Sequence, residues 1–166
     1  MADYTLVEEM LPARVLAEIG IYLQSAAHLE LAVWQIIMYA DGEFSPAHQK
    51  FVDYLEVKKH TPKLVSQLKK SVLKLPPHLG IRVSILANKI EDGLLNLNLA
   101  KHGAFFLDNK ELSVAHYYPQ GNGQKRQWFE ANEKVPRRVI SLAIEEIDTL
   151  LREAVDIRGS IEAERV

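Results

Sequence analysis

The stretch EDGLLNLNLAKHGAFF, Glu91 to Phe106, is where a helical pattern ends and a β pattern begins. Upstream of it, Val83, Leu86, Ile90, Leu94 and Leu97 recur in steps of three and four, which predicts a helix from Pro76-Pro77 into His102. Gly103 is the natural stop of that helix. Downstream, the segments Ala104 to Leu107, Leu112 to Tyr118 and Lys125 to Phe129 are rich in aromatic and β-forming residues. Asp108-Asn109 and Gln120-Gly121-Asn122-Gly123 separate them, so a β-hairpin or a short three-stranded meander is expected over about 104–132.

Working outward, the rest of the chain reads as helix. From Pro12, a favoured first helical position, Val15, Ile19, Tyr22, Ala26, Leu29, Val33 and Ile36 mark one long amphipathic helix ending near Asp41-Gly42. Ser45-Pro46 opens a second with Phe51, Tyr54, Leu55 and Val57, and Thr61-Pro62 a third with Leu64, Val65, Leu68 and Val72. Pro136 opens the last, with Ala143, Ile147, Leu150, Ala154 and Ile157 on one face and a charged tail over about 159–166. The expected fold is mainly α: an antiparallel bundle of about four to five helices with the β excursion before the last one. With 166 residues, no internal repeat and no linker-like composition, residues 1–166 read as one domain.

Composition narrows the chemistry. Nearly half the residues are apolar and a quarter charged, so a folded core is expected rather than disorder. A net charge of -2 gives no global attraction to nucleic acid, and any such contact must use a local patch. The absence of cysteine excludes disulfides, thiolate nucleophiles and Cys-type zinc sites, and is compatible with a cytoplasmic protein. The acidic start MADYTLVEEM does not read as a secretory signal. The apolar run Ile19 to Ala40 is interrupted by Gln24, Ser25, His28, Glu30 and Gln35, so no membrane partner is expected. His48, His60, His78 and His116 lack ligand spacing, and no phosphate-binding glycine loop is present; neither metal nor cofactor is expected.

Two groups of residues remain. Glu91, Leu95, Asn98 and His102 share a helix face, with Lys101 beside them. On the first helix, Glu30 is the charged member of the stripe Leu23, Ala27, Glu30, Trp34 and Ile37. A carboxylate there either reaches water at the stripe's edge or needs a partner. Paired with His102 or Asn98, it would fix an imidazole tautomer and prepare a general base. The plainer account makes His102 and Lys101 cationic residues finishing a helix. The second group, Tyr117, Tyr118, Lys125, Arg126, Trp128, Phe129, Lys134, Arg137 and Arg138, interleaves aromatic and basic residues. It reads either as a surface for RNA or a protein partner, or as rings packed on the helices beside ordinary surface cations.

The run Asn98-Leu99-Ala100-Lys101-His102-Gly103-Ala104 resembles the Arg-Asn-x-x-x-His-Gly ending of a helix in HEPN proteins, the helical family named for higher eukaryotes and prokaryotes nucleotide-binding. His28-Leu29-Glu30 within the long first helix and the last helix after a β excursion are similar to uncharacterised bacterial members. The resemblance implies a homodimer and, in active members, metal-independent RNA cleavage by an arginine and a histidine meeting across the dimer. It also implies a defence or toxin-antitoxin setting. His102 takes the histidine position and Asn98 the amide, but the arginine falls on Leu97, or on Asn96 or Leu95 with looser spacing. Leucine cannot stabilise charge developing on a phosphate as a guanidinium does. Three readings follow: a HEPN-like protein with a degraded site that binds RNA, a nucleotide or a protein; an active endoribonuclease with Lys101 or Arg82 as replacement cation; or a structural module without ligand.

Overall fold

The computed structural model describes residues 5–44, 53, 56 and 60–164. The elements among these are, in chain order, α1 (Leu6–Met10), α2 (Ala13–Ala40), α3 (Thr61–Ser71), α4 (Pro77–Asp92), α5 (Leu94–His102), β1 (Ala104–Asp108), β2 (Glu111–Gln120), β3 (Gln127–Lys134) and α6 (Arg137–Ala163). The chain is mainly helical with a β excursion before its last helix, as the loss of helical period after Gly103 predicts. The expected helix carrying Phe51, Tyr54, Leu55 and Val57 lies outside the described residues, save that Asp53 and Glu56 are helical and exposed.

Residue contacts divide the chain into two compact units. Unit 1 takes in the chain up to Leu23 with Leu95–Glu145; unit 2 takes in Gln24–Leu94 with the chain from Glu146. In unit 2, Ile36, Leu64, Leu68, Leu79, Leu86 and Ile157 lose essentially all contact with solvent. α3 begins where Thr61-Pro62 predicts, and its neighbour α4 supplies Val83 and Leu86 to the same core. Arg82 on α4 donates from Nε to Glu153 Oε1 at 2.9 Å and from Nη2 to Asp156 Oδ2 at 2.6 Å on α6.

Unit 1 holds the sheet, a meander in the order β1-β2-β3 with both pairs antiparallel. Asp108 pairs with Glu111, so Asn109 and Lys110 alone make the first turn, both with positive φ, the requirement of a type I′ hairpin. β1 begins at Ala104 opposite Ala115, whereas β2 runs on to Gln120 with β3 as its sole partner among the described residues. Residues beyond Ala115 therefore form a two-stranded ribbon. Pro119 sits in this ribbon, where the outer edge of β2 has no ladder to interrupt. Val114, Tyr22, Leu97 and Ile140 are the buried anchors of unit 1.

Four boundaries differ from those the sequence suggests. The helix expected to run from Pro77 into His102 is broken at Gly93, whose N–H turns back to the carbonyls of Lys89 and Ile90. Apolar spacing continues across the break, so periodicity does not register it. β3 starts two residues later than expected and continues to Lys134, because its register with β2 carries polar residues that have no apolar face to announce them. The expected charged tail is helical through Ala163, with Ile161 buried. The short helix α1, which apolar spacing does not mark, is held by a capping box in which Glu8 accepts from the Thr5 backbone N–H at 2.7 Å.

Candidate functional site

α5 turns its residues in two directions. Leu97 is 6% exposed and belongs to the core of unit 1, while Asn98 and His102, one turn apart, face solvent along with Lys101. Leu97, where the resemblance would put an arginine, thus lies on the buried side of α5 and His102 on its exposed side. Asn96 is half-buried, and Leu95 is exposed but apolar. His102 makes no hydrogen bond or ion pair among the described residues; the helix end is closed instead by the Gly103 N–H donating to Leu99 O at 2.8 Å. Gly103 is required here by crowding: a Cβ would lie 2.4 Å from Val114 Cγ2 and 2.5 Å from Leu99 O.

Glu30 belongs to unit 2 and His102 to unit 1. Glu30 is 5% exposed, so it does not sit at a water-lapped edge, and its carboxylate accepts from Thr61 Oγ1 at 2.9 Å. Thr61 opens α3, whose preceding residue His60 makes no side-chain cap. The carboxylate meets the end of α3 that favours negative charge, which offsets part of the cost of its burial. Arg82, the other candidate for a replacement cation, is held by two carboxylates that raise its pKa, its hydrogen bond to Glu153 first and that to Asp156 next. Its charge is already paired with both.

The ribbon brings the second group of residues together. Register places Tyr117, Pro119, Trp128 and Glu130 on one face and His116, Tyr118, Phe129 and Ala131 on the other. On the first face Tyr117 is 67% and Trp128 62% exposed. The Arg126 guanidinium lies 5.0 Å from the Trp128 ring centroid, a cation–π contact that holds a cation beside the indole. Tyr117 donates from its hydroxyl to Glu130 Oε2 at 3.2 Å, and this bond raises the phenol pKa. On the opposite face, Tyr118 and Phe129 stack with centroids 5.9 Å apart, and His116 Nε2 lies 3.2 Å from Glu133 Oε1. The expectation that these rings pack on the helices is not met at Tyr117 and Trp128. Lys125 and Arg126 are exposed at the ribbon's loop, and Arg137 and Arg138 are exposed in the first turn of α6.

Unit 1 also contains a partly open apolar pocket of about 70 Å³ that sequence reasoning does not reveal. Its wall combines α5, β1, β2 and the opening turns of α6 with Ile19 and Tyr22 of α2, and none of the described residues that line it is charged. Among the described residues no cluster of three or more His, Asp or Glu side chains is placed to hold a metal ion. None of the described helices is long and apolar enough to cross a membrane. The chain matches no family model, no curated protein and no solved structure.

Proposed function

We propose that this chain is a HEPN-like helical bundle, acting as a cytoplasmic homodimer, that binds single-stranded RNA through its β2-β3 ribbon and does not cleave it. The observation that carries the reading is the exposed face of Tyr117 and Trp128 with Arg126 over the indole. Flat rings open to solvent beside a cation are what base stacking along a phosphate backbone uses. Cations flank both ends of the face, Lys125 and Arg126 at the loop and Arg137 and Arg138 after β3. The two arginines occupy the end of α6 where the helix dipole is itself positive, an arrangement unfavourable for helix stability alone and favourable for an anion. Loss of the reaction is supported by Leu97 turned into the core and Arg82 neutralised by Glu153 and Asp156.

The test is fluorescence anisotropy with a labelled single-stranded RNA in chelator, followed by gel analysis of the same RNA. Intact RNA is expected, with binding that weakens at least about tenfold when Tyr117 and Trp128 are both replaced by alanine, since stacking is worth roughly 1–3 kcal/mol per base. His102→Ala should bind like the native chain. Metal-free cleavage that disappears in His102→Ala would replace this reading with an active endoribonuclease. Unchanged affinity in the double variant would remove the ribbon from the interface, and a protein or nucleotide partner would then be the better account.

A further inference from the structure

We infer that the exposed face of the ribbon selects guanine among the RNA bases and that Glu130 is the residue that reads it, an inference that rests on the RNA-binding reading above. The carboxylates of β2 and β3 are Glu111, Glu130 and Glu133. Lys134 pairs with Glu111, and His116 Nε2 lies 3.2 Å from Glu133. Glu130 is exposed and pairs with no cation among the described residues; its hydrogen bond is to Tyr117. Register sets it opposite Tyr117 and alternation sets it beside Trp128, so a bare negative charge stands in the middle of the stacking face. That charge repels phosphate and lowers affinity for any RNA that does not offset it with donors of its own.

The chemistry of the carboxylate says which base can do so. Ionised, it only accepts hydrogen bonds, with about four lone-pair sites on its oxygens. The Tyr117 hydroxyl donates to Oε2 at 3.2 Å, which takes one site and holds the group at the edge of the phenol ring. A base lying on that ring brings its own edge to the same carboxylate. Guanine alone among the RNA bases carries adjacent donors on its Watson–Crick edge, N1–H and the N2 amine; adenine and cytosine offer an amine each, and uracil an imide N–H. A carboxylate accepts a pair of parallel N–H groups as it does from arginine, and such charge-assisted bonds are the strong ones. Tyr117 is in this account a positioning residue for Glu130 as well as a platform for the base.

Labelled oligouridylates that differ in one central nucleotide, titrated against the unmodified chain by fluorescence anisotropy, test this. Guanosine is expected to bind at least about fivefold tighter than adenosine, cytidine or uridine, the low end of what a bidentate pair discriminates. Inosine, which keeps N1–H and lacks the N2 amine, should lose most of that advantage, and 7-deazaguanosine should keep it. Glu130→Gln, which puts a donor in place of an acceptor, should bring guanosine and adenosine within about twofold of each other. Equal binding of all the nucleotides, or a guanosine preference intact in Glu130→Gln, would overturn the inference and leave the ribbon as an RNA surface without base choice. A preference lost in 7-deazaguanosine would assign guanine to the Arg126 guanidinium acting on N7 and O6, and so overturn the role of Glu130. Failure of every oligomer to bind would instead overturn the RNA reading, and this inference with it. The base series uses the native chain and decides the matter even if Glu130→Gln does not fold.

Discussion

Replacing Gly103 by alanine should be among the most damaging single-methyl additions to this chain. The new Cβ would sit 2.4 Å from Val114 Cγ2 and 2.5 Å from Leu99 O, both well inside any real carbon contact. Val114 is 1% exposed and has nowhere to swing. Leu99 O is backbone, and it accepts the 2.8 Å bond that closes α5. Either β2 moves away from the helix end or that bond opens. Overpacking of a tight site costs about 1–3 kcal/mol and a lost hydrogen bond about 1 kcal/mol, so destabilisation of roughly 2–4 kcal/mol is expected. For a chain of this length that is a fall of roughly 4–16 °C in Tm. Gly20 supplies the opposite case: it is exposed inside α2, an added Cβ would meet nothing within 4 Å, and Gly20→Ala should stabilise by about 0.5–1 kcal/mol. Urea unfolding followed by circular dichroism measures both. A Gly103→Ala variant within about 0.5 kcal/mol of the native chain, the range of a neutral surface change, would refute the steric reasoning.

Two smaller perturbations address the polar contacts. Thr61→Val removes the hydroxyl that donates to the buried carboxylate of Glu30 and should destabilise by about 1–3 kcal/mol in the same unfolding assay; no change would mean that this bond contributes nothing to holding α3. Tyr117 has its phenol pKa raised by the hydrogen bond to Glu130, so the protonated form is the one the fold favours. That contribution is present below the ordinary phenol value of about 10 and is lost as pH rises through the raised value. Absorbance titration, with Tyr117→Phe as the difference reference, should place the phenol above its usual range and show it falling back in Glu130→Gln. An identical titration in Glu130→Gln would show that the carboxylate is not the cause.

Helix starts are legible in the sequence because proline marks them. α2, α3 and α6 begin within one residue of Pro12, Pro62 and Pro136, where a missing N–H costs nothing and φ is already set. The stop at Gly103 is legible too, although its reason is crowding against Val114 rather than a left-handed backbone. α1 has a readable signature, Thr5 followed three residues on by Glu8, which the apolar spacing overshadows. The break at Gly93 is hidden by uninterrupted periodicity, and the length of β3 by its lack of an apolar face. Among candidate site residues, exposure is what the sequence withholds. Alternation assigns Tyr117 and Trp128 to one face but does not say whether anything covers that face. Thr61 as partner of Glu30 depends on two helices meeting, a tertiary fact with no local trace.

The overhang of β2 past β1 has an evolutionary consequence. Val114 and Val135, which line the apolar pocket, lie at the root of the sheet, whereas Tyr117 to Glu130 lie beyond the last residue that β1 pairs. Closing the chain between His116 and Ala131 with a two-residue turn would leave the root paired in its present register. The ribbon is in that sense a replaceable cassette. Substitutions and length changes there would leave the pairing at the sheet's root untouched, so this part of the chain can vary more freely than the scaffold beneath it.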